Sequence, residues 1–560
     1  MTSFWRASAL FSFFVGLFIL MALRLFYWQI ISSDRLSKAA ASQHFVEFTI
    51  PPTRGQILDI EENPIVMNQP AYLVFAEPHL VSDAASFSDK VASVLSLDAK
   101  SLLADISDTT RVWVPIAHRV EIDKVSTLKS MNLAGLGFEK EPKRFYPEAS
   151  SSAQLLGFVG ADVNGEDHGY FGLEGFYDRQ LSGTSGKLRI EKDARGMPLL
   201  IGEEERIDPQ EGRTLVLWMD KAIEQMVEQR LLEGIQKYGA KSGNVVVMDP
   251  QTGGILAMAS YPNYDPRSFG QFDKTLYPNP IIASSYEPGS TFKTLIMAEG
   301  IDEKLVTPQT TMLEDGPVEV GPNAIRTWNN QYHGMISMTQ VLEYSSNVGM
   351  VYVARKLGHD RELAAIKKFG FGKPTNVDLE EEASPELRGD HSWQEIDDLT
   401  ASFGQGIAVT PLQMVRAVST LANGGKLMEP HIVKEIRDDK GKTIPIKPKV
   451  VSQVLSPSTA SIVTEMMVAA VDNGEAKFAK PQGYRIAGKT GTAQIPVSGH
   501  YDATKTIASF VGFAPADHPR FVMLVTLTEP TSSQWGSETA APLFFVIAKD
   551  LFTHFGIPPQ

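Results

Sequence analysis

Ser290 and Lys293, in the run Gly289-Ser290-Thr291-Phe292-Lys293, are the residues whose types and spacing best suit covalent chemistry. A three-residue spacing on a helix sets the ammonium one turn from the hydroxyl, on the same face. A serine hydroxyl needs a nearby base before it can attack an acyl carbon. A lysine can be that base when desolvation or a second cation lowers its pKa. Glu287-Pro288-Gly289 reads as the end of a loop, so Ser290 opens a helix that runs on through Leu295, Ile296 and Met297. The N-terminus of that helix favours developing negative charge. Spacing alone does not single this site out. Ser126-Thr127-Leu128-Lys129 has the same spacing and reads as a solvated helix face.

Two further elements do single it out. Ser345-Ser346-Asn347 lies within Val341 to Met350 and by itself reads as a helix cap or turn. Lys489-Thr490-Gly491-Thr492 falls on a strand-like run, and the chain contains no other Lys-Thr-Gly. A glycine inside a strand marks close backbone approach, as when a substrate lies alongside. Alone, that tetrapeptide reads as a strand-end turn. The three together, on helix, helix and strand, read as a serine acyl-transfer centre.

The elements that must position these residues are legible in outline. Thr214 to Leu217 reads as a strand, Asp220 as an N-cap, and Ile223, Met226, Val227, Leu231 and Ile235 as the core-facing stripe of a helix. Asn244 to Asp249 and Ile255 to Ser260, joined by Pro250-Gln251-Thr252-Gly253-Gly254, read as an antiparallel hairpin. Near the C-terminus, Tyr484 to Ile495, Ile507 to Phe513 and Phe521 to Thr528 are three more strand-like runs. Between them the text is mostly helical. One helix has Thr410 as N-cap, Pro411 at its first position and Asn423-Gly424-Gly425 as its stop. Strands at both ends with helices between predict an α+β domain whose antiparallel sheet is closed by both ends of the domain's chain. Upstream, residues 45–215 read as mixed, with short strands such as Phe45 to Ile50 and turns at Asn164-Gly165, Ser182-Gly183 and Ser185-Gly186.

Composition excludes several classes. The chain has 560 residues, 43% apolar and 21% charged, which suits two to four globular domains. Its net charge of −14 argues against nucleic acid as the main partner. It has no cysteine, so disulfides and thiol catalysis are excluded. Its 11 histidines form no His-x-x-x-His or His-Glu-x-x-His pair, so no metal site and no cofactor is expected.

From Ala7 to Leu23 no residue is charged, and Leu25 to Ile30 continue the apolar run beyond Arg24. That length can span a bilayer, with Arg24 snorkelling and Tyr27 and Trp28 at an interface. Ala39-x-Ala41 resembles a signal-peptide cleavage site but lies well past the apolar run, across Arg24, Asp34, Arg35 and Lys38. An uncleaved anchor is expected. No later segment is long and apolar enough to span, so the rest is expected on one side.

The whole chain resembles the class B penicillin-binding proteins, the monofunctional peptidoglycan D,D-transpeptidases. Besides the three motifs, Arg54-Gly55-Gln56-Ile57-Leu58-Asp59 resembles the family's signature after the anchor. Gly172-Leu173-Glu174-Gly175, followed by Leu181-Ser182-Gly183, resembles its pedestal motif. Phe403 to Gln413, Ser509 to Ala516 and Ala540 to Phe544 are close to the division-specific branch. After Asp59 the family often continues Arg-Asn-Gly, whereas this chain reads Ile60-Glu61-Glu62-Asn63-Pro64.

The resemblance implies residues 1–6 as a cytoplasmic N-terminus, 7–30 as the transmembrane anchor, 31–212 as a non-catalytic pedestal and 213–560 as the transpeptidase domain. It implies a five-stranded antiparallel sheet flanked by helices, lying outside the cytoplasm. Ser290 would attack the penultimate D-Ala carbonyl of a stem pentapeptide, with Lys293 as base. Ser345 would relay a proton to the departing D-Ala, and Asn347 would orient Lys293 and bond the substrate amide. Lys489, Thr490, Gly491 and Thr492 would bind substrate, and the N–H groups of Ser290 and Thr492 would form an oxyanion hole. β-Lactams would acylate Ser290. Expected partners are a membrane glycosyltransferase of the shape, elongation, division and sporulation polymerase family and other division proteins, because the chain shows no room for a fused glycosyltransferase. The rival readings are an elongation-specific transpeptidase, a β-lactamase, a penicillin-sensing receptor and a division-complex scaffold.

Overall fold

The computed structural model describes residues 2–37, 45–108, 111–163, 165–191, 204–389, 392–497 and 500–559. Ala39 and Ala41 of the cleavage-site resemblance, and Asn164 of one expected turn, lie outside them. Contacts divide the chain into two units, one of residues 1–53 with 183–212, the other of 54–182 with 213–560.

In the first unit, Thr2–Phe26 is an α-helix continued by a π-helical turn over Tyr27–Ile31. Phe4–Ile31, 28 residues with mean hydropathy 2.3 over its most apolar stretch, is long and apolar enough to cross a membrane, and that stretch is not buried in the protein. A helix apolar all round with no protein covering it fits a lipid environment. The same unit holds a three-stranded sheet in which Gly186–Glu191 lies between Phe45–Ile50 and Glu204–Ile207.

The second unit is organised around a sheet with both faces covered. In chain order, helix α1 (Lys221–Tyr238) has the Asp220 carboxylate accepting from the N–H groups of Ala222 and Ile223. Strands β1 (Ser242–Met248) and β2 (Ile255–Tyr261) form the hairpin. Then come α2 (Lys293–Asp302), β3 (Thr311–Glu314), β4 (Gly334–Ser337), α3 (Met338–Glu343) and α4 (Asn347–Leu357). Helices α5 (Pro411–Ala422) and α6 (Pro457–Asn473) precede strands β5 (Ala487–Val497), β6 (His500–Ala514) and β7 (Phe521–Thr528), and α7 (Ala540–His554) ends the unit. The sheet runs β2-β1-β7-β6-β5, antiparallel throughout.

This is the expected α+β fold, with a five-stranded antiparallel sheet flanked by helices and closed by both ends of the domain's chain. Alternation at period two sends Val245, Val247, Met523 and Val525 to the side of α1 and α7. Val246, Met248, Val522 and Leu524 face the other way, toward α2 and α5. Because both faces are covered, the strands read as unbroken apolar runs.

The expected strand starting at Tyr484 begins instead at Ala487. Tyr484 is aromatic because it stacks on Phe552 of α7, 4.1 Å between ring centroids, and not because it extends the sheet. Strand β6 begins at His500 instead of Ile507. Thr214–Leu217 is a strand as read, but it belongs to a different, six-stranded sheet. There it pairs parallel with Ile57–Leu58 and antiparallel with Val433–Arg437. Segments from before residue 182 thereby share backbone hydrogen bonds with the C-terminal half. Asp378 reinforces the join by accepting from Tyr177 Oη at 2.9 Å and from the N–H groups of Ile432 and Val433 at 2.7 and 3.0 Å.

The signature residues Arg54 and Glu174 meet here. Glu174 is fully buried and takes Arg54 Nε on one oxygen and Arg144 Nε on the other, each at 2.7 Å. Arg54 also donates to Asp178 at 2.7 Å. Deleting the shared carboxylate leaves two guanidinium groups without their central counter-charge. Glu174→Ala is expected to destabilise residues 54–182 by about 3–5 kcal/mol, the usual loss when one partner of a buried pair is removed. Urea unfolding of the full chain checks this, and a loss below about 1 kcal/mol would contradict the role given to this carboxylate.

Candidate active site

The helix that carries Lys293 is a core helix. All but the last residue of α2 are buried, so it is enclosed on every side and cannot rotate without unpacking the domain. The chain enters it through a 3-10 turn, Gly289–Phe292, that contains Ser290. Thr291 Oγ1 donates to the Pro288 carbonyl at 2.7 Å and locks the entry. Thus Ser290 sits in the first turn of a rigid rod, at its solvent end.

A loop and a strand close on that turn, and both need glycine there. Gly404 has φ +78°, and its carbonyl accepts from Gly289 N–H at 3.0 Å. A β-carbon on Gly404 would lie 2.3 Å from the Gly289 carbonyl oxygen. On the other side, a β-carbon on Gly491 would meet Ser509 Oγ at 2.4 Å and Thr291 Cγ2 at 2.9 Å. The glycine of Lys489-Thr490-Gly491 therefore marks a close approach of β5 to Ser509 and to the serine's own turn. Strand β5 is an outer strand of its sheet, so alternate backbone N–H groups point away from β6.

Lys293 is 0% exposed. Its Nζ donates to the Ser345 carbonyl at 2.6 Å and to Asn347 Oδ1 at 2.7 Å, with Ser345 Oγ at 3.3 Å. Asn347 Nδ2 donates to the Arg326 carbonyl at 2.9 Å. A carbonyl can only accept, so this bond orients the amide with its oxygen toward the lysine. Ser345 and Ser346 form the turn between α3 and α4, and Asn347 is the first residue of α4. Ser345 has φ +54°, a left-handed conformation uncommon for a residue with a side chain.

Burial pushes the Lys293 amine well below the usual lysine value, and the neighbouring Lys489 cation pushes the same way. The carboxylates of Glu475 and Glu314 oppose this, but desolvation prevails. Lys489, also buried, is pushed down to about 8 by desolvation, against the pull of Glu475. Its Nζ lies 3.1 Å from Thr490 Oγ1. The site thus holds two amines, one driven toward neutrality beside a serine and one still cationic near pH 7.

A cleft of about 280 Å³ opens on this group and is lined by Ser290, Asn347, Phe403 and Thr492 with Trp328 and Trp535. The two indoles meet edge to face, 4.8 Å between centroids, at its rim. Phe403 lies 6.0 Å from Lys293 Nζ. Thr492 Oγ1 accepts from Gly536 N–H at 2.9 Å, which ties β5 to the loop before α7. All three motifs are thereby brought together. The decoy is not. Ser126 is exposed, and Lys129 lies over the rings of Tyr72 and Phe138 at 5.0 and 5.3 Å. Sequence reasoning did not find the two tryptophans or Glu314, which stand on loops or at a strand end with no repeated spacing to mark them. Among the described residues no group of three or more His, Asp or Glu could hold a metal ion.

Two family models match. Residues 243–552 match the penicillin binding protein transpeptidase domain, and residues 49–217 the penicillin-binding protein dimerisation domain. The chain is 32% identical over 553 residues to stage V sporulation protein D of Bacillus subtilis, covering 98% of this chain and 85% of that one. It is 29% identical over 547 residues to peptidoglycan D,D-transpeptidase FtsI of Escherichia coli strain K12, covering 96% and 90%. Among solved structures, penicillin binding protein 3 of Mycobacterium tuberculosis with aztreonam superposes with TM-score 0.71 at 26% identity, covering 92% of this chain and 98% of that one. A peptidoglycan synthetase of Bifidobacterium adolescentis superposes with TM-score 0.76 at 25% identity, with the same coverage. With both family domains in order along it and a relative 32% identical across 98% of its length, the chain belongs to the class B penicillin-binding protein transpeptidases.

Proposed function

We propose that this chain is a membrane-anchored serine D,D-transpeptidase that crosslinks peptidoglycan stem peptides through an acyl-enzyme on Ser290 and is acylated there by β-lactams. The observation that carries this is the buried Lys293 amine, held at 2.6–2.7 Å by Ser345 and Asn347, one turn beyond a serine that lines an open cleft.

The chemistry follows from the atoms. Ser290 Oγ attacks the penultimate D-Ala carbonyl and its proton passes to Lys293 Nζ. The N–H groups of Ser290 and Thr492 hold the oxyanion, where preorganised donors have their largest effect. As the tetrahedral adduct collapses, Lys293 Nζ passes that proton to Ser345 Oγ, 3.3 Å away, while Ser345 hands its own to the departing D-Ala amine, and the same relay runs in reverse when the second amine attacks. Lys489 supplies positive potential for the substrate carboxylate, and Thr490 and Thr492 hydrogen-bond it alongside Gly491. An amine of a second stem then attacks the ester and releases Ser290. A β-lactam presents an amide and a carboxylate at the same positions.

In this reading residues 7–30 anchor the chain in the inner membrane, 31–212 form a pedestal and 213–560 work on the extracytoplasmic side. The apolar Phe4–Ile31 helix supports the anchor. The runs Phe403 to Gln413, Ser509 to Ala516 and Ala540 to Phe544, which resemble the division-specific branch, support work at the division septum, beside a membrane glycosyltransferase that polymerises glycan. Likeness to a sporulation protein favours a second reading, wall synthesis during spore formation.

Labelling with a fluorescent penicillin tests the nucleophile. Ser290→Ala is expected to abolish labelling and Ser126→Ala to leave it intact, and a labelled Ser290→Ala protein would remove the assignment. The pH dependence tests the two amines. Lys293 accepts a proton only when neutral, so the acylation rate should rise as pH climbs through its depressed pKa. Lys489 attracts a carboxylate only when charged, so the rate should fall above about 8. A bell with its basic limb near that pH is expected. A rate still rising at pH 9.5 would contradict the role of Lys489.

A further inference from the structure

Behind the Ser345-Ser346-Asn347 turn lies a carboxylate that the chemistry above does not use. Glu314, the last residue of β3, is 0% exposed. Its Oε1 accepts a hydrogen bond from the Ser346 hydroxyl. Its Oε2 accepts from the His333 backbone N–H at 3.1 Å and lies 2.9 Å from His333 Nδ1. The His333 ring stacks on Tyr344, 4.2 Å between centroids and 16° from parallel, beside the same turn. A buried carboxylate is tolerated only when such donors surround it.

The direction of these bonds is fixed. The Ser346 hydroxyl has one proton, and it goes to Glu314. The Ser346 oxygen in turn accepts the Gly349 N–H at 2.8 Å and so caps α4. Ser346 is therefore held from both sides. Its neighbours, Ser345 and Asn347, are the residues that grip Lys293, and Ser345 does so from a left-handed conformation. Such a conformation persists only where the surroundings over-determine it. Here the side chain next to it is tied to a buried anion.

We propose that Glu314 is a positioning residue for acylation. Through Ser346 it holds the turn so that the Ser345 carbonyl and Asn347 Oδ1 both reach Lys293 Nζ, and it does so without touching substrate. The inference rests on the acyl-transfer reading of Ser290. It concerns the rate of the covalent step and not recognition, because Glu314 and Ser346 do not line the cleft.

The test is saturation kinetics of acylation by a fluorescent penicillin, on the full chain in detergent, separating initial binding from the covalent rate constant. Wild-type protein that fails to acylate at Ser290 would overturn the reading of the site itself. Given wild-type acylation, Glu314→Gln is expected to lower the covalent rate constant about ten- to a hundredfold with initial binding unchanged, the scale of loss when a catalytic group is misplaced by about an ångström. Ser346→Ala, which removes one oxygen, is expected to show the same loss. The double variant is expected to be no slower than the slower single one, because both changes break one chain of contacts. Wild-type covalent rate constants in the single variants would overturn the proposal. So would losses that multiply in the double variant, or a loss confined to the fraction of protein that labels. If Glu314→Gln does not fold, Ser346→Ala decides alone by the same criteria.

Discussion

Burying the Lys293 amine is the constraint on which the rest of this structure depends. Water would stabilise the ammonium form of Lys293 and make it useless as a base. Full burial works against that preference, and the second cation at Lys489 pushes the same way. Yet an amine stripped of water must still be satisfied. The Ser345 carbonyl and the Asn347 amide oxygen replace the lost water without supplying a full negative charge. Neutral acceptors orient the amine, whereas a carboxylate in contact would have restored the ammonium.

That arrangement requires rigidity from elements far apart in the chain. The core helix α2 fixes the lysine, the turn between α3 and α4 supplies its acceptors, and the outer strand β5 brings the second lysine. Each sits on a packed layer. Apolar side chains on both faces of the sheet hold β5 at its height, and Gly404 and Gly491 allow two backbones to press against the serine's turn. The left-handed Ser345 works against its own conformational preference, and it lies where the acceptors must converge.

Much of this was legible in residue types and spacing. The three motifs were readable as a set because each constrains the others, although Ser290-x-x-Lys293 and Ser126-x-x-Lys129 look alike in isolation. What separates them is burial, and burial is decided by residues distant in sequence. Lys293 lies on a helix buried on every side, whereas Lys129 rests on two rings at the surface. Strands with both faces covered were found from their apolar runs. The partner of Thr214–Leu217 was not, because a two-residue parallel pairing with Ile57–Leu58 leaves no periodic trace. Tyr484 was taken into a strand because stacking on a helix and burial in a sheet call for the same residue type. Trp328, Trp535 and Glu314 were missed because each acts alone, from a place where spacing carries no information.

The solid packing of α2 also bears on how such a site can change over generations. Nine of the ten residues of α2, the helix that follows the Ser290 turn, are buried, so changes of volume along it are felt by the packed core. The edge-to-face tryptophans and the loop tied to Thr492 are not so confined. Selection by an inhibitor that mimics the natural acyl donor would therefore find its freedom at the rim of the cleft. On that packing, variation is borne more easily on the loops around Trp328 and Trp535 than along α2.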